Sequence, residues 1–214
     1  MIRKAALLLA FMTAAVSVTG CSSKDSKSGV SVNTSSTAAE PASGSSSAPL
    51  LSGPLLKLSS ANVRPGETAE ITLSVAKTGG WNMCGLHIVY PDALEVPIAS
   101  EGKYIKYKDG DVLWNAQGRV AQHCTKDMAE KLGGPGSDAI FFTTYFDGDS
   151  GEDGDIATFY FNVPADAAPG TVYPLEFKFH SSDAVSDMFI QTGNDPAYMD
   201  YAISNWQGGT ITVE

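Results

Sequence analysis

Basic residues are scarce in this chain: 14 Lys and Arg stand against 24 Asp and Glu, a formal net charge of −10. A surface of that sign repels phosphate backbones and anionic headgroups, which argues against nucleic acid and acidic lipid as electrostatic partners. No metalloprotease helix, nucleophile elbow or phosphate-binding loop occurs. A βαβ rhythm is also missing, which argues against parallel α/β architectures. The domain is small and lacks inserted loops to form a cleft, so a carboxylate pair for glycoside hydrolysis is not expected. Long apolar runs are confined to the start, where Ala5 to Val18 is too short to span a bilayer as a mature helix.

That apolar stretch follows Arg3 and Lys4 and leads into the small residues Val18-Thr19-Gly20 and then Cys21. This is the grammar of an export signal, and the cysteine resembles the lipobox of bacterial lipoproteins. The resemblance implies cleavage after residue 20, with the Cys21 thiol lipidated and holding the chain to a membrane. Loss of residues 1–20 would remove Arg3 and Lys4, moving the net charge from −10 to −12. Ser22 to Pro49 holds eleven serines, no aromatic residue, and only Val30 and Val32 as larger aliphatics. It cannot bury enough apolar surface to offset the entropy of ordering. Residues 21–52 are therefore expected to be a flexible linker with a span of roughly 30 Å.

Residues 53–214 are expected to form one domain, all-β in class. Glu70-Ile71-Thr72-Leu73-Ser74-Val75 alternates as a half-buried strand should. So does Pro174 to His180, which places Leu175, Phe177 and Phe179 on one face. Met83 to Tyr90, Ala139 to Phe146, Ile156 to Val163 and Thr210 to Val213 are further strand candidates, separated by Gly-, Pro- and Asp-rich turns. Two short helices are predicted. One runs from Lys126 to Leu132 and is closed by Gly133-Gly134; the other is capped by Asp195-Pro196 and reaches Ser204. Many short strands with dense punctuation indicate an antiparallel sandwich. Export permits a disulfide between Cys84 and Cys124; the alternative is two buried thiols acting as small apolar groups.

Several segments form an ordered series along the chain. It comprises Gly80-Trp81-Asn82-Met83-Cys84-Gly85-Leu86-His87-Ile88-Val89-Tyr90 with Leu94-Glu95-Val96, then Phe141-Phe142 leading to Gly148-Asp149-Ser150-Gly151. Ile156 to Pro164 and Gly208 to Val213 complete it, with Arg64-Pro65-Gly66-Glu67 near the start. In this order the series resembles the cohesins, the receptor modules of cellulosome scaffolds. The turn Pro91-Asp92-Ala93 is one residue shorter than usual, and Gly102 to Gly136 is longer than in the commonest members. In these departures the chain looks most like the divergent cohesins of rumen-type cellulosomes.

The resemblance implies a nine-stranded jelly-roll β-sandwich that binds a dockerin, a small helical module with calcium loops, and does no chemistry. It needs no cofactor of its own, the calcium being carried by the partner. Alternation then selects the candidate contacts. Met83, Gly85, His87 and Val89 face outward opposite a Cys84, Leu86, Ile88 and Tyr90 core set. Phe141, Thr143 and Tyr145 face outward opposite Ile140, Phe142 and Phe146, and Glu176 and Lys178 oppose Leu175, Phe177 and Phe179. Trp114 is added as an aromatic candidate. With the lipid at Cys21, the expectation is a monomeric receptor that holds dockerin-bearing enzymes or scaffoldins at the bacterial cell surface.

Two other readings are carried. A carbohydrate-binding module would stack sugars on Trp81, Trp114, Trp206 and Tyr201, and a fibronectin-like structural domain would have no ligand. The acidic run Asp147 to Asp155 suggests a calcium loop but fails the EF-hand pattern, with Glu152 in place of glycine and Thr158 in place of the bidentate glutamate. Gly148-Asp149-Ser150-Gly151 and Ala121-Gln122-His123-Cys124 are protease-like fragments. They lie too close in sequence to hold an intervening aspartate strand.

Overall fold

The structure is a computed structural model and describes residues 53–99, 102–182, 186–193 and 195–214. The expected leader (1–20), the linker (21–52) and the lipidation site Cys21 lie outside the described residues.

Among the described residues eleven strands form two facing sheets. The smaller has the order β1 (Leu55–Leu58), β3 (Thr68–Ala76), β8 (Gly154–Asn162) and β5 (Tyr107–Asp109). The larger has the order β2 (Ala61–Val63), β11 (Gly209–Val213), β9 (Val172–Lys178), β4 (Met83–Pro91), β7 (Ser137–Tyr145) and β6 (Gly118–His123). β10 (Met188–Ile190) pairs with β4 beside β9. All pairings are antiparallel except β11 with β2. The nine-strand expectation becomes eleven because two strands are interrupted. β1 and β2 are separated by Ser59-Ser60, where the chain passes from one sheet to the other. β9 and β10 are two pieces along one edge of β4.

The core lies between the sheets and follows period-two patterning. β3 buries Ala69, Ile71, Leu73 and Val75, and β4 turns Cys84, Leu86, Ile88 and Tyr90 inward. Phe142 of β7 meets Phe159 of β8 edge to face at 5.7 Å, joining the two sheets. A bulge between Leu73 and Ser74 shifts the β3–β8 register, so Ile156 and Ala157 are both buried in sequence. Thr144, on the core side of β7, donates its Oγ1 hydrogen to the Gly118 carbonyl at 3.0 Å.

Both predicted helices form. α1 (Lys126–Gly133) starts at Thr125, whose Oγ1 accepts from the Met128 amide, and stops at Gly134 with φ 87°. α2 (Pro196–Ser204) is capped by Asp195, which accepts from the Ala197 amide at 3.0 Å. One strand expectation needs correction. Phe179 does not continue the inward set of Leu175 and Phe177; β9 ends at Lys178 and Phe179 is 47% exposed.

Candidate partner-binding face

The outward side of the larger sheet is a grid set by strand register. One row holds Ile190, Met83, Tyr145 and Gly118. The next holds Met188, Gly85, Thr143 and Val120, and the third Lys178, His87, Phe141 and Gln122. The fourth begins with Glu176, Val89 and Ala139. Sequence reasoning had placed Met83, Gly85, His87, Val89, Phe141, Thr143, Tyr145, Glu176 and Lys178 on this side, and the register brings them together. It missed Val120, Gln122, Met188 and Ile190. The alternation in Arg119-Val120-Ala121-Gln122 was a usable signal for β6; the three-residue β10 offered almost none.

Exposure across the grid is uneven, because parts of it are covered by a second layer. Val89 is only 6% exposed: with Ala139 it packs under Ala129 and Leu132 of α1, beside Cys124. The expectation of an open Val89 is corrected here. The helix approaches this closely because residue 133 is glycine; a Cβ there would lie 2.8 Å from the Ser137 Cβ and inside contact distance of Val89. Lys126 ties the same helix down, its Nζ donating to Asp92 at 2.7 Å and to the Ser137 carbonyl at 3.0 Å.

His87 is also covered, at 3% exposure. Its Nδ1–H donates to Asp187 Oδ1 at 2.8 Å, and its ring lies 4.8 Å from Phe141 and 5.5 Å from His180. It is not a solvent-facing strand histidine.

What remains accessible is a patch. Met83, Phe141, Thr143, Met188 and Val120 are half-buried, and Tyr145 is 48% exposed. At its centre Gly85 is buried, and the side chains of Thr143, Met188 and Phe141 close over it, 3.7–3.9 Å from where a Cβ would project. Glu176 and Lys178 pair with one another at 2.7 Å at the β9 side. Trp114, 77% exposed, stands off the strand grid, on the 3-10 turn Asp111–Asn115 that follows β5 of the other sheet.

The remaining motifs have structural roles. Cys84 and Cys124 are free thiols rather than a disulfide. Burial, reinforced by the Asp187 charge, holds the Cys84 thiol protonated; burial followed by the charges of Asp138 and Asp187 pushes Cys124 up to about 12. In the acidic run, Asp153 accepts from the Lys77 amide, the Thr78 amide and Thr78 Oγ1 at 2.7, 3.0 and 2.6 Å, while Asp149 accepts from the Thr192 amide. These carboxylates staple loops together. Among the described residues no group of three or more His, Cys, Asp or Glu is placed to hold a metal ion. His123 pairs with Asp138 at 2.9 Å near the start of β7, whereas Ser150 follows that strand's other end. The four aromatics of a sugar platform do not assemble. Trp81 is fully buried, donating Nε1–H to the Glu152 carbonyl, and Trp206 packs on Phe177 at 5.2 Å.

No family model and no curated protein sequence matches this chain. Solved structures do. A type III cohesin module from the ScaE cell-surface anchoring scaffoldin of Ruminococcus flavefaciens superposes with a TM-score of 0.64 at 21% identity, over 77% of this chain and 89% of that one. The OlpA cohesin of Clostridium thermocellum, solved in complex with a dockerin, gives 0.51 at 15% identity over 76% and 99% of the two chains. The sixth cohesin of Acetivibrio cellulolyticus scaffoldin B, also solved with a dockerin, gives 0.50 at 16% over 76% and 99%. Residues 53–214 therefore carry the cohesin fold, in a divergent form.

Proposed function

We propose that this chain is a non-catalytic receptor that captures a calcium-loaded dockerin on the accessible patch of its larger sheet. Through Cys21 it would hold dockerin-bearing enzymes or scaffoldins at a bacterial cell surface for plant polysaccharide degradation. The observation that carries the reading is the joining of a cohesin fold to one continuous patch of aromatic, methionine and small residues around Gly85. Phe141, Tyr145, Met83 and Met188 are residue types that partner surfaces favour at their cores. The missing side chain of Gly85 lets Phe141 and Met188 lie close over the strand, which keeps the patch flat. Two of the similar structures are cohesins solved in complex with dockerins, and a third comes from a cell-surface anchoring scaffoldin. Those descriptions support the partner class and the location proposed here.

Calorimetry of the full chain against a panel of dockerins, first with calcium and then with chelator, tests the reading. One-to-one binding that disappears with chelator is the expected result. Retention on cellulose or xylan with no dockerin binding would replace it with the carbohydrate-binding reading.

A further inference from the structure

β9 and β10 run along the same edge of β4, but not continuously. Lys178 stands opposite His87; an unbroken strand would place residue 180 opposite Gly85, yet Met188 stands there. The register therefore shifts by eight residues between the two pieces. The two pieces are joined at this shift by Asp187. Its amide donates to the His180 carbonyl at 2.8 Å, and its Oδ2 accepts from the His180 amide at 2.9 Å. Its other oxygen, Oδ1, takes the His87 Nδ1–H. Asp187 is 0% exposed, so this carboxylate is wholly satisfied from inside the protein.

The pair underlies both apolar side chains at the centre of the patch. His87 supports the ring of Phe141, and Asp187 immediately precedes Met188; Phe141 and Met188 flank Gly85. We propose that His87 and Asp187 are positioning residues that fix Phe141 and Met188 over Gly85, and hence set partner affinity, without touching the partner. The inference rests on the dockerin reading for its partner. Its structural half is independent of it. A buried, doubly bonded carboxylate has few alternative arrangements, because leaving either N–H unpaired costs the desolvation of that group. His180, Met188 and the Phe141 ring are thereby held in one arrangement.

The test compares the full chain with its Asp187→Ala and Asp187→Asn variants. Amide hydrogen exchange, proton NMR of the His87 imidazole N–H, and affinity for a dockerin bound by the unmodified chain are the readouts. In Asp187→Ala we expect loss of the slowly exchanging His87 N–H signal and loss of amide protection confined to residues 83–85 and 188–190. Dockerin affinity falls about tenfold. Asp187→Asn, which keeps one acceptor for the His180 amide, lies between. Protection lost uniformly across β3 and β8 as well would overturn the proposal, since the pair would then only stabilise the core. Unchanged protection would overturn it too, as would local loosening with unaltered affinity. If the unmodified chain binds no dockerin, the partner half falls with the dockerin reading, while the exchange pattern still decides whether the pair holds this part of the sheet in place.

Discussion

Val89 and Phe141 lie on the same outward side of neighbouring strands, yet substitution at each has a different consequence. Val89 is sealed beneath α1, so Val89→Asp places an unpaired carboxylate in an apolar cluster with Ala129, Ala139 and Leu132. A loss of about 3 kcal/mol or more is expected, read as a lower denaturant midpoint. Phe141 is half-buried and rests on His87. Phe141→Ala should cost only about 1–2 kcal/mol in stability and yet weaken dockerin binding more than any change at Val89 that still folds. Equal effects of Phe141→Ala on stability and on binding would argue that Phe141 is a packing residue only. The alternation that places both residues outward is legible in the sequence. The helix that covers one of them is not, because coverage depends on where a segment 40 residues further along comes to rest.

At the scale of elements, two contacts between separate segments can be tested. The first is α1 against β4, which depends on the missing side chain of Gly133. Gly133→Ala should push the helix off Val89 and Ser137, raising exchange of amides in α1 while β3 and β8 keep theirs. Undisturbed α1 exchange would mean that the helix does not need this close approach. The second is the Asp153 staple joining the β3–β4 turn to the loop before β8. Partial burial opposes ionisation of this carboxyl, but the hydrogen bonds from Thr78 Oγ1 and the Thr78 and Lys77 amides outweigh it, so its pKa is lowered. A lowered folded pKa contributes stability that is complete above the unfolded value, about 3.9, and is lost as pH falls through the folded one. Thermal melts of the unmodified chain and Asp153→Asn should therefore differ at neutral pH, the gap shrinking as pH falls below about 4 and closing only below the lowered folded value. A gap that persists in acid would assign the effect to amide geometry rather than charge.

For the whole molecule, the two sheets and their core follow from residues readable one strand at a time. Ile71, Leu73, Leu86, Ile88, Phe142 and Phe159 each sit at the buried phase of a period-two pattern, and each is inside. The helix stops were equally local, in Gly134 at the end of α1 and Asp195-Pro196 at the start of α2. Less of the face was legible. β10 has three residues, too few for periodicity to speak, and β9 ends at Lys178, which leaves Phe179 out of the phase its neighbours predict. The buried partner of His87 lies 100 residues away in sequence, and nothing around Asp187 marks it as an interior carboxylate.

By itself the sequence determined the class of this domain, its strand phases, its helix boundaries and its acidic character. Each of these depends on residues within a few positions of one another. Only the tertiary structure decided which outward residues stay open, that Cys84 and Cys124 remain apart as thiols, and that Phe141 and Met188 close over Gly85. Those properties arise where segments distant in sequence meet. Burial, hydrogen bonding and shape at such meeting points are set by the packing of the whole chain, not by the local pattern of any strand.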